Sequence, residues 1–442
     1  MNLKVFAQGS HVGTLEHDRE KQQWSFGYSG EWQAREDRYP LSPALPLERV
    51  PTLTAEQHSL AVRTFFENLL PEGQALDDAA AASKVSKAES FGLLRSLGRE
   101  TAGALEILPD APSREGKPVL RPITREQLSE RIRARPHQPF TVWDGRVRLS
   151  IAGFQDKLAV YEDPQGHWFL VEGPTIASTH LIKPDPIRAG MVGMTTNERL
   201  CMQLASAVGI AAATTRWEQI PEPVLIIERF DRVRQPRAIE RLHCIDGAQA
   251  LGLPVSMKYE RPYGKAEAVK NIRDGATLAA FFDLVRVHSP TPAADMLNLL
   301  RWVVFQVLIG NTDAHAKNLS FFVSAAGLRL TPAYDLVSGL IYKEIDDDLS
   351  MAIGDEFSPR KLSAFDWAQF ADECRVPSRV VAREIESLCG HTLEALPIIQ
   401  EGSAAEGGHA PTIDAVSEVI ESQANRLKQL AADIPQVARE FF

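Results

Sequence analysis

The sequence predicts an α+β fold with a two-lobed core, in which a strand-rich lobe precedes a helical lobe and a small mixed α/β domain precedes both. Three observations predict it. Short alternating segments punctuated by glycine open the chain, strand-like segments dominate from about residue 148, and the apolar spacing is mostly helical after about residue 270. We therefore expect an N-terminal subdomain at 1–112, a linker and strand-rich lobe at 113–270, and a helical lobe at 271–442.

Composition and charge are those of an ordinary globular chain that can bury sizeable cores. The 442 residues are 44% hydrophobic and 24% charged, and the formal net charge is -10. An acidic balance argues against broad wrapping of nucleic acid, although local basic patches could still contact phosphate. The opening residues lack the apolar core of a signal peptide and no apolar run is long enough to span a bilayer, so we expect a cytoplasmic protein with no membrane partner.

Cysteines and histidines give no pattern of a metal site. The four cysteines lie far apart and form no CxxC pair, which excludes a disulfide framework and a recognisable zinc site. The histidines have no HExxH or CxxC companion, so metal chemistry based on histidine is set aside.

The first 122 residues predict three strands, two helices and a further strand. LKVFAQ, HVGTLE and QWSFGYS alternate as strands do, and the proline-rich RYPLSPALPLERVP is expected to be extended. An amphipathic helix follows in LTAEQHSLAVRTFFENLLPEG, which Pro71 and Gly73 end. ESFGLLRSLGRE predicts a second helix and AGALEIL a strand. Residues 109–122 predict a linker, because proline, glycine and charge crowd there with little apolar content.

The segment after the linker predicts a basic helix and then a series of strands. TREQLSERIRARPHQPF is the helix and loop, and RLSIAG, QDKLAVYED, HWFLVEG, THLIKP and PVLIIERFDR are strand-like. TTNERLCMQLASAVGI starts a helix with threonine and asparagine. LSFFVSAAGLRLTP interrupts the later helices as two strands joined through Ala-Ala-Gly. A strand-rich lobe followed by a helical lobe is how protein-kinase-like folds are built.

The stretch NTDAHAKN, residues 311–318, places dense polar chemistry between an apolar helix and an apolar strand. Phosphoryl transfer needs a carboxylate to orient the attacking hydroxyl, ligands for magnesium, and cations near the phosphates. Protein kinases place the base Asp and a metal-binding Asn in the spacing D-x-x-x-x-N, and Asp313 and Asn318 have that spacing. Lys317 adds a cation that could neutralise developing charge. The sequence therefore predicts Asp313 as catalytic base and Asn318 as a ligand of Mg²⁺.

Further candidates follow one another in the order that a kinase requires. Asp335 comes after the predicted strand pair as a second ligand, and hard oxygen ligands suit magnesium rather than zinc. Lys183 ends a strand and could reach the phosphates of ATP, and Glu198 on the next helix could hold that lysine. SIAGFQDK (150–157) could cover the phosphates with backbone amides, although it has only one glycine. ERF (228–230) ends a buried strand where backbone groups could bind adenine.

Each of these residues also has an ordinary structural explanation. Aspartate and asparagine near a strand start are most often turn formers, and Asp335 could be a helix cap. Lys183 could be a solvated lysine at a strand end, and His315 a loop histidine bonded to backbone. The order of the series argues for function, because chance produces the whole series far less often than any one member.

At SIAGFQDKLAVY, HLIKP, ERFDR, QALGLP, NTDAHAKN and TPAYD the chain resembles the HipA family, and FFENLLPEG and PLSPALPL resemble that family's N-terminal domain. These are serine/threonine kinases that act as toxins of bacterial type II toxin–antitoxin modules. The resemblance implies Asp313 as the base and Asn318 and Asp335 as the ligands of Mg²⁺. It also implies a set of residues that contact ATP: Ala152, Gly153, Phe154, Gln155, Asp156, Lys157, Lys183, Glu228, Arg229, Phe230, His315, Lys317 and Tyr334.

The resemblance implies regulation and partners as well. Autophosphorylation is expected at Ser150, where it would pull the phosphate loop out of the site and silence the kinase. Arg146 and Arg148 could pair with the phosphoserine, although two solvated strand arginines would be equally ordinary. The family's usual partner is a small helix-turn-helix antitoxin, HipB-like, through which operator DNA is mainly contacted. The best-known substrate class is an aminoacyl-tRNA synthetase, glutamyl in type, whose phosphorylation stalls translation and favours persistence.

The chain departs from the family pattern in two places. Phe154 and Asp156 stand where the family commonly has alanine and glutamate, and residues 244–249 read CIDGAQ where it usually has QEDFCQ. The second departure bears on peptide-substrate contacts and leaves the phosphoryl-transfer residues untouched. Two alternatives stay open: a small-molecule kinase of related fold, such as an antibiotic or lipid phosphotransferase, and a non-catalytic co-repressor that only tunes repression by its antitoxin.

Overall fold

The structure is a computed structural model that describes residues 1–48, 50–110, 118–135, 137–148, 155–173, 176–236 and 238–438. Five residues of the predicted phosphate loop lie outside the described residues. They are Ser150, Ile151, Ala152, Gly153 and Phe154.

The N-terminal region combines four helices with a four-stranded antiparallel sheet. Its strands are β1 (Asn2–Ala7), β2 (Ser10–Asp18), β3 (Gln23–Tyr28) and β4 (Leu105–Leu108), and its helices are α1 (Gly30–Gln33), α2 (Ala55–Glu67), α3 (Gly73–Ser83) and α4 (Ser90–Leu97). The strand order is β3-β2-β1-β4, so the first and last strands of the region are neighbours. All the strands and helices predicted for this region are present.

The start of helix α2 is determined by local sequence, and the connection that follows this helix reaches the candidate site. Thr54 caps its start and exchanges hydrogen bonds with Gln57, a capping box that satisfies two backbone donors. The helix stops at Glu67, four residues before Pro71, which was expected to end it. Gly73, however, begins α3, which the sequence did not predict. Residues 68–72 are thus a short connection between two helices.

The strand-rich lobe is built on a six-stranded sheet in the order β11-β12-β10-β8-β9-β5. Its elements are β5 (Val119–Ile123), α5 (Arg125–Ala134), β6 (Val142–Trp143), β7 (Arg146–Val147), β8 (Leu158–Glu162), β9 (Trp168–Glu172), β10 (His180–Pro184), α6 (Met194–Ala207), β11 (Thr215–Gln219), β12 (Pro223–Glu228), β13 (Arg232–Gln235) and β14 (Ala238–Arg241). Strand β5 overlaps the C-terminal end of the predicted linker. It pairs with β9 at the sheet edge, and its exposed Val119 and Leu120 give no burial pattern to recognise.

Strand β12 separates two hydrophobic cores. Val224 and Ile226 pack into the core of the strand-rich lobe, and Leu225 and Ile227 pack into the core that continues into the helical lobe. Both faces of the strand are buried, so its apolar residues run without alternation, as a strand covered on both sides requires. The predicted buried strand is confirmed.

The rest of the chain is mostly helical, as predicted. Its elements are β15 (Cys244–Asp246), α7 (Gly247–Leu251), α8 (Leu278–His288), α9 (Pro292–Leu308), β16 (Ser320–Ser324), β17 (Gly327–Leu330), α10 (Ala364–Glu373), α11 (Ser378–Ala405) and α12 (Ala410–Ala431), with 3₁₀ turns at Val255–Met257, Ala316–Asn318, Gly339–Ile341 and Ile434–Gln436. The predicted strand pair is β16 and β17. At its turn Gly327 has a φ of +118°, and a Cβ there would lie 2.3 Å from the carbonyl oxygen of His288.

One hydrophobic core runs from the N-terminal sheet into the helical lobe, and a second core lies within the strand-rich lobe. The N-terminal region is therefore packed onto the kinase-like lobes, while the two boundaries between the three domains stay predictions. Across the described residues, no helix combines the length and apolar content that crossing a bilayer requires. The predicted α+β, protein-kinase-like fold class is confirmed.

Candidate active site

The segment 311–318 lies between the end of the buried helix α9 and strand β16, and its own amides hold it in place. The Asn311 amide donates to Gln306 Oε1 at 2.8 Å, and Asn311 Oδ1 accepts from the backbone N–H of Asp313 at 3.1 Å. The Asn318 amide donates to the carbonyl of Asp313 at 2.8 Å. These bonds fix the backbone around Asp313 and leave its carboxylate to face the cleft.

Asp313 has the environment of a general base. Solvent reaches its side chain, while the Tyr259 hydroxyl donates to Oδ1 at 2.7 Å. Desolvation of the carboxylate by the surrounding protein atoms nevertheless raises its pKa to about 6. A carboxylate with that pKa is a better proton acceptor than a surface aspartate and is still ionised at neutral pH.

Lys183, Glu198 and Asp335 meet in a buried cluster, as the sequence predicted. The Lys183 ammonium lies 2.8 Å and 3.0 Å from the two oxygens of Glu198 and 2.6 Å from Asp335 Oδ1. Burial opposes the charge on Lys183, but the two carboxylates outweigh it and raise its pKa well above the usual value. Burial likewise opposes ionisation of Asp335, but Lys183 and Lys157 outweigh it and lower its pKa to about 2. The lysine and this aspartate are therefore both charged at neutral pH.

Lys157 adds a second buried cation to this cluster. Burial, and then repulsion from Lys183, lower its pKa to about 8. Its side chain lines both cavities of the site. A lysine with a depressed pKa next to a second lysine suits an anionic ligand, because the ligand's negative charge relieves the repulsion.

Asn318 and Asp335 offer the oxygen atoms that magnesium prefers. The amide nitrogen of Asn318 is bonded to Asp313, so its amide oxygen is the atom left for a cation. Asp335 has a φ of +56°, an uncommon left-handed conformation for a residue other than glycine, and its side chain is 32% exposed. Both residues line both cavities. The donor set therefore fits Mg²⁺.

Two adjoining cavities form the cleft, one of about 130 Å³ and one of about 520 Å³. Residues 228–231 line the first and Asp313 lines the second. Four residues line both: Lys157, His315, Asn318 and Asp335. The metal-ligand candidates thus stand where the two cavities meet, between the inter-lobe crossing and the candidate base.

The crossing between the lobes forms the apolar end of the first cavity. The rings of Phe230 and Tyr334 lie 5.6 Å apart between centroids and are tilted by 38°. The N–H groups of Glu228 and Arg229 already bond to the carbonyls of Thr214 and Thr179, at 2.8 Å and 2.9 Å. Tyr334 donates its hydroxyl to the carbonyl of Lys317, so its ring face is what it offers a ligand.

The side chain of Arg229 connects the crossing to the N-terminal region. Its guanidinium is buried, and it donates to Asp231, to the Ser178 hydroxyl at 2.8 Å and to the Thr101 carbonyl at 3.3 Å. Thr101 belongs to the N-terminal region. Arg229 also lines the first cavity, and its contact with ATP stays a prediction.

Lys317 and Asp156 each form an ion pair within the protein. The Lys317 ammonium lies 3.0 Å from both the carbonyl and the side-chain oxygen of Asn68, and it pairs with Asp246. It also lines the first cavity, and its contact with ATP stays a prediction. Asp156 pairs with Arg135 at 3.4 Å and lines neither cavity.

His315 and Gln155 line the cleft, and each has a buried polar atom without a partner among the described residues. These atoms are the Nδ1 of His315 and the Oε1 of Gln155. Burial lowers the pKa of His315 to about 3, so the imidazole is neutral. Both atoms are exceptions, since buried polar atoms are normally hydrogen-bonded.

Among the residues that line the cleft and that sequence reasoning missed, four make polar contacts in or next to the candidate site. They are Asn68, Glu72, Lys258 and Tyr259. FFENLLPEG was noted only as a motif of the N-terminal domain, and the segment containing Tyr259 carries no spacing typical of a site. Their contacts join positions 54 to 249 residues apart, which no local pattern reports.

Comparison with known protein families shows to which family the chain belongs. The family model described as HipA-like C-terminal domain matches residues 149–396, more than half of the chain, and the HipA N-terminal domain model matches residues 3–108. This chain belongs to the HipA family. The C-terminal match contains every predicted site residue, and Asn68 and Glu72 fall within the N-terminal match.

Relatives and a solved structure agree with HipA membership. The chain is 35% identical to the serine/threonine-protein kinase toxin HipA of Shewanella oneidensis over 93% of this chain and 94% of that protein. It is 33% identical to a putative kinase of Sinorhizobium fredii, over 91% and 92% of the two chains. The structure matches Shewanella oneidensis HipA, solved in complex with HipB and its operator DNA, with a TM-score of 0.86, 31% identity, and coverage of 99% of this chain and all of that one.

Proposed function

We propose that this HipA-family chain is an ATP- and Mg²⁺-dependent serine/threonine protein kinase that acts as the toxin of a toxin–antitoxin module. One observation carries the proposal: Lys183, Asn318 and Asp335 converge where the first cavity meets the cavity of Asp313. That arrangement supplies the positioning and charge on which phosphoryl transfer depends.

The proposed reaction divides the work among few residues. Asp313 orients the acceptor hydroxyl and takes its proton as the oxygen attacks the γ-phosphorus of ATP. The new O–P bond forms on the acceptor, the bond to the β–γ bridging oxygen breaks, and ADP leaves. Lys183, held by Glu198, balances charge on the nucleotide phosphates. Asn318 and Asp335 would hold Mg²⁺, which when bound neutralises phosphate charge.

The proposed partners follow from kinship rather than from a site in this chain. The similar Shewanella protein was solved with HipB and operator DNA, so we include a HipB-like helix-turn-helix antitoxin that makes most of the DNA contact. The net charge of -10 agrees with that division. A translation component such as glutamyl-tRNA synthetase as substrate, and autophosphorylation on Ser150, remain part of the proposal on the family resemblance.

The base assignment is tested with Asp313→Asn, with the exposed Asp274→Asn of the same lobe as its control. We expect Asp313→Asn to retain ATP binding and to lose transfer of labelled γ-phosphate, because the amide cannot accept the proton. Asp274→Asn should transfer normally. Normal transfer by Asp313→Asn would reject the base. Labelling of lysate metabolites rather than proteins would favour a small-molecule kinase, and no Mg²⁺-dependent turnover by the natural chain would favour a co-repressor.

The autophosphorylation proposal is tested separately with Ser150→Ala. We expect the natural chain to lose activity during incubation with ATP and Mg²⁺ as Ser150 becomes phosphorylated, and the variant to keep its initial rate. Mass spectrometry that located phosphate only at other residues, or equal decay of the two proteins, would contradict this regulation.

A further inference from the structure

The connection between α2 and α3, residues 68–72, brings the N-terminal domain into the catalytic cleft. Asn68, Leu69 and Glu72 all line the first cavity, together with Lys183 and Asp335 from the kinase lobes. The N-terminal domain therefore contributes residues to the wall of the first cavity. The contacts made by this connection show what it holds.

Asn68 fastens the catalytic segment from one side. Its carbonyl and its Oδ1 both accept from the Lys317 ammonium at 3.0 Å, and its amide donates to the carbonyls of Thr64 and Leu253 at 2.9 Å and 3.0 Å. Asn68 is 2% exposed, so solvent does not compete for these bonds. Lys317 immediately precedes the metal-ligand candidate Asn318, and its position is therefore set by the N-terminal domain.

Glu72 acts from the other side through Lys258. Its Oε2 accepts from the Lys258 ammonium at 2.6 Å, and its Oε1 is buried with no partner among the described residues. The carbonyl of Lys258 in turn accepts from the backbone N–H of Ala316 at 3.0 Å, and the next residue, Tyr259, donates to Asp313. A chain of contacts thus runs from Glu72 to the catalytic base.

A second set of hydrogen bonds attaches the N-terminal domain to the lobes. Asp231 Oδ2 accepts from the backbone N–H of Gly103 at 2.7 Å, and Arg232 donates to the carbonyl of Gly103 at 2.9 Å. These bonds lie behind the inter-lobe crossing, at the other end of the first cavity. The domain is therefore held at two points, and residues 68–72 cannot drift from the cleft without breaking buried polar contacts.

We propose that residues 68–72 are a working part of the active site, in which Asn68 and Glu72 are positioning residues for the catalytic segment 311–318. This inference rests on the proposed kinase function for its effect on turnover. Neither residue touches the reacting atoms. They act by holding Lys317, Lys258 and, through these, the backbone on which Asp313 and Asn318 are presented.

The test uses Glu72→Gln in the full-length chain, because this variant keeps the shape of the side chain and removes its charge. Asp77→Asn is the matched control, since Asp77 lies in the adjacent helix α3 and forms an exposed ion pair with Lys87 at 2.9 Å. We expect Glu72→Gln to lower kcat for Mg²⁺-dependent transfer from ATP by roughly 10- to 100-fold, the range that misplacement of reacting groups produces, while KM for ATP changes little. Asp77→Asn should match the natural chain.

A double-mutant cycle with Lys258→Gln shows whether Glu72 acts through that lysine. Once Lys258 is replaced, replacing Glu72 should add no further loss of kcat. Additive losses, an unchanged kcat in Glu72→Gln, or a faster enzyme would each overturn the inference; the last would make the connection a restraint rather than a support.

Hydrogen exchange gives a readout that does not depend on kinase activity. In Glu72→Gln we expect faster exchange confined to peptides covering 257–260 and 311–318, with the N-terminal sheet unchanged. Unaltered exchange in those peptides would overturn the positioning role even if the natural chain proved to lack transfer. Loss of transfer by the natural chain together with the expected exchange would instead reject the proposed function and keep the positioning role.

Discussion

Lys183 and Lys317 are two buried lysines with similar ion-pair partners, but we expect them to have different roles. Each pairs with buried or half-buried carboxylates and each lines the first cavity. Lys317 also takes two oxygens from Asn68, whereas Lys183 shares a carboxylate, Asp335, that is open to the cleft. We therefore expect Lys317, which is bonded to three protein oxygens, to be structural, and Lys183, whose partner carboxylate faces a cavity, to meet a ligand.

Replacing Lys317 tests the structural half of the comparison and should have the largest effect. Lys317→Met leaves Asp246 without its buried partner, and breaking a buried pair in this way destabilises by about 3–5 kcal/mol. We expect this loss in the free energy of unfolding measured with urea. A loss of activity without a loss of stability would show that Lys317 contacts the phosphate after all.

Replacing Lys183 tests the other half. We expect Lys183→Met to lower kcat for transfer by roughly 10²- to 10³-fold, which is the cost of removing one group that stabilises the charge of a transition state. The decrease should persist at temperatures where circular dichroism shows a folded chain. If transfer by the folded variant were normal, Lys183 would belong with Lys317 as a structural lysine.

Replacing Tyr259 tests whether a residue that only supports the candidate base affects turnover, and the expected effect is smaller. Tyr259→Phe removes the hydrogen bond to Asp313, and hydrogen bonds to charged groups contribute about 1.5–3 kcal/mol, so we expect kcat to fall by roughly one to two orders of magnitude. Tyr263→Phe is the control, because Tyr263 lies in the same segment and is 57% exposed. Equal rates for the two variants would remove Tyr259 from the support of the base.

The sequence predicted those parts of the molecule that short-range patterns encode. β1 to β3 were found from alternation, and the catalytic segment from the spacing between Asp313 and Asn318. Helix α3 was missed because the alanine-rich GQALDDAAAAS presents no distinct apolar face. β5 was missed because its exposed edge position leaves the usual apolar signal weak.

The site residues likewise fall into two groups, those that patterns along the sequence predicted and those that they did not. Lys183, Glu198 and Asp335 could be named because their order along the chain follows a known architecture, and the structure brings them together. The roles of Asn68, Glu72 and Lys317 depend on contacts across 186 and 249 residues. Such contacts arise only when the chain is packed, and no spacing rule within one segment contains them.

The contact between Asn68 and Lys317 also bears on how the protein is made. During synthesis, the N-terminal domain emerges from the ribosome long before the segment that this domain supports has been made. Until then residues 68–72 have nothing to hold, and part of the domain's apolar core has no helical lobe to cover it. Prematurely terminated copies would therefore carry a complete N-terminal domain and no assembled cleft, so a cell that produces fragments of this chain would not be exposed to the proposed activity.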